Sequence, residues 1–372
     1  MHILHLITSI NKGGAENHLF YLTKEQVKKN KISIIYFKGD SYWKKNYQKL
    51  GIETINLSKL GSGPLNYIKK INLIKNFILK KSVHIVHAHL PHMEFLMFFV
   101  LLFKNYKIKY FITKHVDNDF LGGSKYKSKS IVASIVDYFL TKKAKSIICI
   151  SKAVINYYLS KFPKHKKKKY KLVYYGINES CFNYFKDKKE KLIIPQKKII
   201  FGSIGRLVKQ KNYKHIVLSF KYFLKSYKSD AFLVIAGSGP EEKNLKNYAK
   251  DLGIQDKVIW LGFINDIGNL LKKFDVFCMN SNFEGLGLVM LEAMHYGKPI
   301  IAPRVSAIPE VINSNFNGYV VKPNDVKAYS DAMIKMTNKN LIRKLSKNSK
   351  IVLKKKFDYM QMIEKTEKIY SN

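Results

Sequence analysis

The segment S-N-F-E-G-L-G-L-V-M-L-E-A-M-H-Y-G-K-P, residues 281–299, decides the fold of the second half of the chain. It follows an apolar run at residues 275–279, and its pattern predicts a loop, a helix and an abrupt stop. Residues 286–294 are apolar almost all round, which is typical of a helix buried on every side. Gly297 can take positive φ just after such a helix, and Pro299 cannot continue it.

Two carboxylates, Glu284 and Glu292, lie on either side of the start of this helix. Glu284 falls in the loop near the unpaired N–H groups of the first turn, and Glu292 lies inside the apolar run. A lone buried carboxylate is costly unless hydrogen bonds reach it. Carboxylates accept from vicinal diols and a helix N-terminus favours phosphate, so the pattern fits a nucleotide sugar. The spacing alone equally permits Glu284 to cap the helix and Glu292 to pair with a buried lysine.

This segment, with its E-x₇-E spacing, closely resembles the donor-site signature of the large retaining glycosyltransferase family four, which has the GT-B fold. The resemblance implies that Glu284 touches the donor sugar and acts in catalysis, and that Glu292 holds the ribose diol. It also implies that the intervening residues bind the donor, namely Gly285, Leu286, Gly287 and Leu288. The family usually has Phe at the position of Leu286, so the match departs mildly there.

A second constellation, G-R-L-x-x-x-K-N, starts at Gly205 where a predicted strand gives way to a predicted helix. A guanidinium can hold two phosphate oxygens at once, and an ammonium adds a point charge. Only three of the 67 basic residues are arginine, which makes Arg206 unusual in this chain. Lys211 alone has the ordinary alternative of a solvated surface lysine. The spacing resembles the family's diphosphate-binding pair, which implies that Arg206 and Lys211 bind the donor and assist catalysis.

Two glycine-rich loops follow predicted strands. The loop N-K-G-G-A-E-N contains Gly13 and Gly14, and it lacks the G-x-G-x-x-G spacing of a nicotinamide-dependent dehydrogenase. Taken alone, this glycine pair predicts only a tight turn. The family has a similar Gly-Gly-x-Glu loop that faces the donor across the cleft, which implies donor binding by Gly13 and Gly14. The turn G-S-G-P at Gly237 resembles the family's glycine turn where the base or ribose packs.

Three histidines lie at or near the ends of predicted strands. His115 aligns with a family histidine near the donor sugar, which implies a catalytic role, although a single histidine is more often structural. His87 and His89 are two apart on a strand and therefore share a face, as a metal-binding pair would. No Asp, Glu or Cys is grouped with them, and the family needs no metal. We therefore expect no metal and no cofactor beyond the nucleotide diphosphate sugar that serves as donor substrate.

The formal net charge is +41, of which residues 1–191 contribute +26. A cation of this size is attracted to anionic lipid or to nucleic acid. No aromatic-basic platform and no helix-turn-helix signature supports nucleic-acid binding, so an anionic membrane surface is the expected partner. The heavy use of lysine, with abundant Ile, Asn and Tyr, also fits an AT-rich genome without selection for a binding surface.

The 372 residues are enough for two domains with full cores. Strand-like runs alternate with helical patterns, which predicts parallel α/β architecture. The predicted strands of the first half are residues 2–8, 32–37, 54–57, 84–88, 109–113, 146–150 and 171–175. Those of the second half are residues 199–204, 232–236, 258–261, 275–279, 299–302 and 318–321. A charged stretch around Pro195 breaks the pattern and predicts an interdomain linker.

The predicted fold is therefore α/β of the GT-B type, with two Rossmann-like, doubly wound parallel-sheet domains and a cleft between them. The acceptor domain covers residues 1–180, the linker 181–197 and the nucleotide-sugar domain 198–356. The resemblance implies that the last helix, residues 357–372, packs back on the first domain. The apolar runs are too short to span a bilayer, and the cysteines lack CxxC spacing. We expect a cytoplasmic protein at the inner face of the plasma membrane.

The predicted activity is that of a retaining, metal-independent hexosyltransferase. It moves a hexose-type sugar from a nucleotide diphosphate to a hydroxyl acceptor. That acceptor is a lipid-linked saccharide or glycolipid of cell-envelope polysaccharide or lipopolysaccharide synthesis. The nearest alternative is a nucleotide-sugar epimerase on the same fold, and a different class is a nucleic-acid-binding protein. The sugar, the base, the linkage and the oligomeric state are left open by the sequence.

Overall fold

A computed structural model describes residues 1–39, 42–102, 106–116, 127–182, 192–196, 198–227 and 230–372, with the backbone alone for residues 127–133. The chain divides into two compact units. The first unit is Met1–Tyr174 together with Met360–Asn372, and the second is Tyr175–Tyr359. Most of the predicted linker, at residues 183–191 and 197, lies outside the described residues.

The first unit is built on a seven-stranded parallel sheet. Its strands are β1 (His2–Ile7), β2 (Lys31–Tyr36), β3 (Glu53–Asn56), β4 (Ile85–His89), β5 (Lys109–Lys114), β6 (Ser146–Cys149) and β7 (Tyr170–Leu172). Its helices are α1 (Gly14–Gln26), α2 (Lys44–Lys49), α3 (Pro64–Lys80), α4 (Pro91–Leu102), α5 (Lys127–Lys143) and α6 (Lys152–Lys161). The strand order is β3-β2-β1-β4-β5-β6-β7, so the order reverses between β1 and β4.

The second unit has a six-stranded parallel sheet in the order β10-β9-β8-β11-β12-β13. Its strands are β8 (Ile199–Ile204), β9 (Ala231–Ala236), β10 (Val258–Gly262), β11 (Val276–Cys278), β12 (Ile300–Pro303) and β13 (Gly318–Val321). Its helices are α7 (Tyr213–Ser226), α8 (Glu242–Asp251), α9 (Ile267–Lys273), α10 (Leu288–His295), α11 (Ile308–Val311), α12 (Val326–Lys335) and α13 (Lys339–Lys356). The last helix, α14 (Tyr359–Ser371), belongs to the first unit from Met360 onward. Here the order reverses between β8 and β11.

These two strand orders confirm the prediction of two Rossmann-like, parallel-sheet α/β units. The strands are apolar and buried along most of their length, as parallel strands covered on both faces must be. In such sheets the ligand-binding edge is the carboxyl end of the strands, where the strand order reverses. We therefore expect a ligand-binding site at the loops after β1, β4, β8 and β11.

The helix α2 was not predicted from the sequence. Its six residues are polar or charged apart from Tyr47, and that side chain is buried with Trp43 against Phe20 of α1. A single buried side chain leaves no helical period in the sequence, because a helix of one and a half turns is too short to show one. Within the described part of the chain, no helix has both the length and the apolar character needed to cross a membrane.

Candidate functional site

The loop that carries Arg206 follows β8 and is held by the turn that follows β9. The backbone N–H of Gly205 donates to the carbonyl of Ala236 at 3.0 Å, and that of Leu207 donates to the carbonyl of Ser238 at 2.9 Å. Gly237 has φ +137°, and a Cβ added there would lie 1.9 Å from the Gly205 carbonyl oxygen. The glycine at 237 is therefore required by close contact between two backbones. This contact holds the backbone on either side of Arg206, which is itself exposed.

Lys211 and Glu284 lie 73 residues apart in sequence, and the structure brings them into direct contact. The Lys211 ammonium donates to Glu284 Oε1, and the Ser281 hydroxyl donates to the same oxygen at 2.7 Å. The side chain of Glu284 is only 9% exposed, so this is a largely buried pair. Glu284 is thus an acceptor at the junction of the loops after β8 and β11, which are adjacent strands.

Four hydrogen bonds join these two loops besides the ion pair, one of them from the Asn212 amide to the Asn282 side-chain oxygen at 3.4 Å. The backbone N–H of Asn282 donates to the carbonyl of Gln210 at 2.8 Å, and the Gln210 amide donates to the carbonyl of Phe283 at 3.0 Å. The Asn282 amide also donates to the carbonyl of Lys209 at 3.3 Å. The roles of Gln210 and Ser281 could not be predicted from the sequence, because no local pattern links positions so far apart.

The helix α10 begins after Gly287, whose φ is +81° and which cannot supply a capping side chain. Leu286 and Leu288 are buried on either side of it, and Gly285 is buried as well. Glu292 is 5% exposed within the second turn of the helix. Glu284 does not cap this helix, because its carboxylate accepts hydrogen bonds from Lys211 and Ser281 instead.

In the first unit, Gly13 and Gly14 form the start of α1. Gly13 is extended, and a Cβ there would lie 2.4 Å from the Glu16 carboxylate. The Glu16 carboxylate accepts from the Ser9 hydroxyl at 2.6 Å, and the N–H of Asn17 donates to the Gly13 carbonyl at 2.8 Å. The glycine at position 13 therefore leaves room for the Glu16 carboxylate beside the first turn of the helix.

His115 lies just after β5, within a buried cluster of five histidines. His5 on β1 is directly paired with His87 on β4, so both side chains share one face of the sheet. His89 and His115 lie on that same face, and His18 of α1 contacts His115 with ring centroids 5.8 Å apart. His5, His87 and His89 offer ligand nitrogens within 4.8 Å of one another. His5 was not predicted as a member of this cluster, because the register of β1 against β4 has no signature in the sequence of either strand.

Burial dominates the electrostatics of this cluster. It lowers the pKa of His5 to about 4 and that of His18 to about 3. Burial, with the repulsion of neighbouring histidines, lowers the pKa values of His87, His89 and His115 well below the usual range. At neutral pH these five imidazoles are therefore uncharged.

A buried ion network lies next to His115. Lys114 pairs with Glu94 and, at 2.7 Å, with Asp137, and Asp137 also pairs with Lys161 at 3.2 Å. Burial disfavours the charged ammonium, yet Asp137 and Glu94 together hold the pKa of Lys114 well above its ordinary value. The negative charges of the two carboxylates equal the positive charges of the two ammonium groups. This pairing offsets the cost of burying the four charged groups in the first unit.

Comparison with known proteins shows the family and the fold. The model of "Glycosyl transferases group 1" matches residues 185–352, and that of "Glycosyltransferase Family 4" matches residues 12–180. The chain belongs to this family, the group 1 glycosyltransferases of family four. A crystal structure of a glycosyltransferase from Rickettsia africae has a TM-score of 0.79 with 20% identity, covering 99% of this chain and 97% of that one. The fold is therefore GT-B, as predicted.

Two similar proteins are from Escherichia coli. One is UDP-Gal:alpha-D-GlcNAc-diphosphoundecaprenol alpha-1,3-galactosyltransferase, which is 30% identical over 187 residues, 50% of this chain and 48% of that protein. The match thus spans about half the length of that relative. The other is the O-antigen biosynthesis glycosyltransferase WclY, which is 24% identical over 382 residues, covering 100% of this chain and 98% of that protein.

Proposed function

We propose that this chain transfers a hexose-type sugar from a nucleotide diphosphate sugar to a hydroxyl acceptor, with retention of anomeric configuration and without a metal. The observation that carries the proposal is the contact between Lys211 and Glu284 on the loops where the strand order of the second sheet reverses. A cation for the diphosphate and a carboxylate for sugar hydroxyls lie side by side there, beside the N-terminus of α10.

The proposed reaction develops negative charge on the departing diphosphate. Arg206 and Lys211 are the cations that stabilise it, and the N–H groups at the start of α10 add a positive potential. Glu284 accepts hydrogen bonds from the sugar, and Glu292 accepts from the ribose diol. The attacking hydroxyl enters on the face from which the diphosphate departs, and the leaving phosphate takes its proton. Donor-binding roles of the other predicted site residues are part of the same proposal, namely Gly13, Gly14, Gly237 and His115.

The proposed acceptor is a lipid-linked saccharide or glycolipid of cell-envelope polysaccharide or lipopolysaccharide synthesis. Support comes from the two relatives, one named for a diphosphoundecaprenol-linked acceptor and the other for O-antigen biosynthesis. Both names describe transferases, which favours transfer over the epimerase alternative. Incubating the protein with nucleotide sugars, with and without a lipid-linked acceptor, and analysing the products decides between transfer and epimerisation.

Glu292→Gln tests the carboxylate inside α10. The amide keeps the shape but loses the charge that accepts from the ribose diol. The transition-state stabilisation measured by kcat/KM should therefore fall by about 1–3 kcal/mol while the fold stays intact. Steady-state kinetics and thermal unfolding measure the two effects separately. Glu310→Gln, on the short helix α11, is the matched control and should change kcat/KM little. Unfolding of Glu292→Gln with unchanged donor affinity would assign Glu292 a structural role.

The proposed partner of the first unit is an anionic membrane surface at the cytoplasmic face. A cavity of about 650 Å³ between α5, the α6–β7 loop and the last turn of α14 is lined by seven lysines, including Lys142, Lys166 and Lys169. The described residues that line it include no acidic side chain. Tyr138 of α5 lines the cavity and is 37% exposed, and Ile135, one turn earlier on the helix, is 61% exposed. Lysines for lipid headgroups and apolar side chains for the interface thus lie close together.

Liposome sedimentation tests this contact. Each lysine near an anionic surface contributes about 1 kcal/mol, attenuated by salt, so binding to anionic vesicles should fall as salt rises. Lys166→Glu with Lys168→Glu should weaken binding roughly tenfold or more, whereas Lys225→Glu with Lys250→Glu in the second unit should weaken it much less. Equal binding to neutral vesicles, or equal effects of the two double variants, would contradict a contact through the cavity.

A further inference from the structure

A chain of hydrogen bonds connects Gln26 to His115 through two other side chains. His5 Nε2 lies 2.9 Å from the Gln26 side-chain oxygen, and His5 Nδ1 lies 3.1 Å from His89 Nε2. His89 Nδ1 in turn lies 3.2 Å from His115 Nε2. The four residues come from α1, β1, β4 and the end of β5, and all four are at most 7% exposed.

Each imidazole in this chain is neutral, because burial lowers its pKa below the physiological range. A neutral imidazole has one N–H donor and one nitrogen lone pair, so it can donate at one end only. The amide oxygen of Gln26 can only accept. The direction of the first hydrogen bond therefore decides the direction of every later one.

The order of donors follows from that single constraint. His5 donates from Nε2 to Gln26, so its Nδ1 is an acceptor. His89 must then donate from Nε2 to His5, which leaves its Nδ1 as an acceptor for the Nε2–H of His115. We propose that Gln26, acting through His5 and His89, fixes His115 as the Nε2–H tautomer with an accepting Nδ1. Gln26, His5 and His89 are thus positioning residues.

The consequence for substrate binding rests on the proposed function. Any group that faces Nδ1 of His115 must be a hydrogen-bond donor, because this nitrogen has a lone pair and no proton. A donor sugar bound there meets that requirement with a hydroxyl or an N–H group. A phosphate or carboxylate oxygen does not, since it also only accepts. If a donor sugar reaches this nitrogen, the direction of the hydrogen bonds favours a hydroxyl or N–H group there and disfavours a carboxylate.

The same nitrogens of His5 and His89, with one nitrogen of His87, also lie close enough to suggest a metal site. In the structure, however, the two nitrogens of His87 bond to the hydroxyls of Tyr370 and Thr113. Both nitrogens of His5 and of His89 belong to the chain from Gln26. Every ring nitrogen of these three residues thus has a hydrogen-bond partner within the protein. Metal binding is the competing explanation of the cluster, and the experiment below is designed to detect it.

Nitrogen-15 NMR of the wild-type chain, labelled at its 11 histidines, reads the tautomers directly. Single His→Gln variants assign the signals of His5, His89 and His115. We expect all three to be neutral Nε2–H tautomers at pH 7. An Nδ1–H or doubly protonated His115 would overturn the proposal. So would a stoichiometric metal found by elemental analysis whose removal by chelator shifts these signals.

Gln26→Met tests the origin of the polarity, because Met has a similar shape and no amide oxygen. We expect a second tautomer signal at His115 and a fall of about tenfold in kcat/KM. Gln48→Met, an exposed position on α2, is the matched control and should change neither. A pure Nε2–H signal at His115 in Gln26→Met would show that Gln26 does not set it. The NMR measurement needs no catalysis, so an absence of sugar transfer by the wild type would overturn the proposed function and leave the tautomer assignment standing.

Discussion

Lowering the pH from 7 to 5 should strongly destabilise the chain. The histidines of the buried cluster have pKa values depressed in the folded state relative to about 6.5 in the unfolded state, chiefly by burial. Below pH 6.5 the unfolded chain binds more protons, so stability is complete above that pH and falls towards the folded pKa values. His5 and His18, with values of about 4 and about 3, together account for about 4 kcal/mol over this interval.

Urea unfolding at a series of pH values measures this loss. His18→Gln removes one titrating group. It should therefore reduce the slope of the free energy of unfolding against pH by about 1.4 kcal/mol per pH unit where that slope is steepest. Repulsion within a chain of net charge +41 also grows as the pH falls, but salt screens it, so the measurements are made at high ionic strength. A free energy of unfolding that is constant between pH 7 and pH 5 would show that these imidazoles are solvated.

Arg206→Lys should damage catalysis although it preserves the charge. A guanidinium holds two phosphate oxygens at once and keeps them fixed as the sugar–phosphate bond lengthens, whereas an ammonium is a mobile point charge. Lys211 cannot readily replace it, because its ammonium is already paired with Glu284. We therefore expect kcat to fall by roughly ten- to a hundredfold, or about 1.4–2.7 kcal/mol, with a smaller effect on donor affinity.

Steady-state kinetics at saturating acceptor measure this effect. Lys167→Arg, in the turn before β7, is the control and should leave kcat unchanged. If Arg206→Lys keeps its activity within about twofold, the diphosphate is held by Lys211 and backbone N–H groups alone.

Much of the fold could be predicted because parallel strands and their crossover helices leave a local signal. Residues 199–204 and 318–321 were predicted as strands with the bounds that β8 and β13 have. The positive φ of Gly297, at +64°, follows from its place after an apolar helix. The helix α2 could not be predicted, because its stability comes from Tyr47 and Trp43 packing on α1 and not from its own period.

The residues of the candidate site were singled out one by one from the sequence, and the contacts between them could not be predicted. Resemblance singled out Glu284 and Lys211 separately, but neither pattern indicates that the ammonium of one bonds to the carboxylate of the other, or that Ser281 shares it. In the first unit, His87 and His89 were identified as a pair, yet the register of β1 brings in His5. Contacts between distant strands depend on pairing that no single stretch encodes.

The return of Met360–Asn372 to the first unit also matters for how the protein is synthesised. Tyr370 supplies the hydroxyl that bonds to His87, yet it leaves the ribosome only after the whole of Tyr175–Tyr359 has been translated. At typical elongation rates of about 5–20 residues per second, that is a delay of roughly 10–40 s. During this time the nascent first unit has its buried histidine cluster without the Tyr370 hydroxyl, so it cannot complete its native packing.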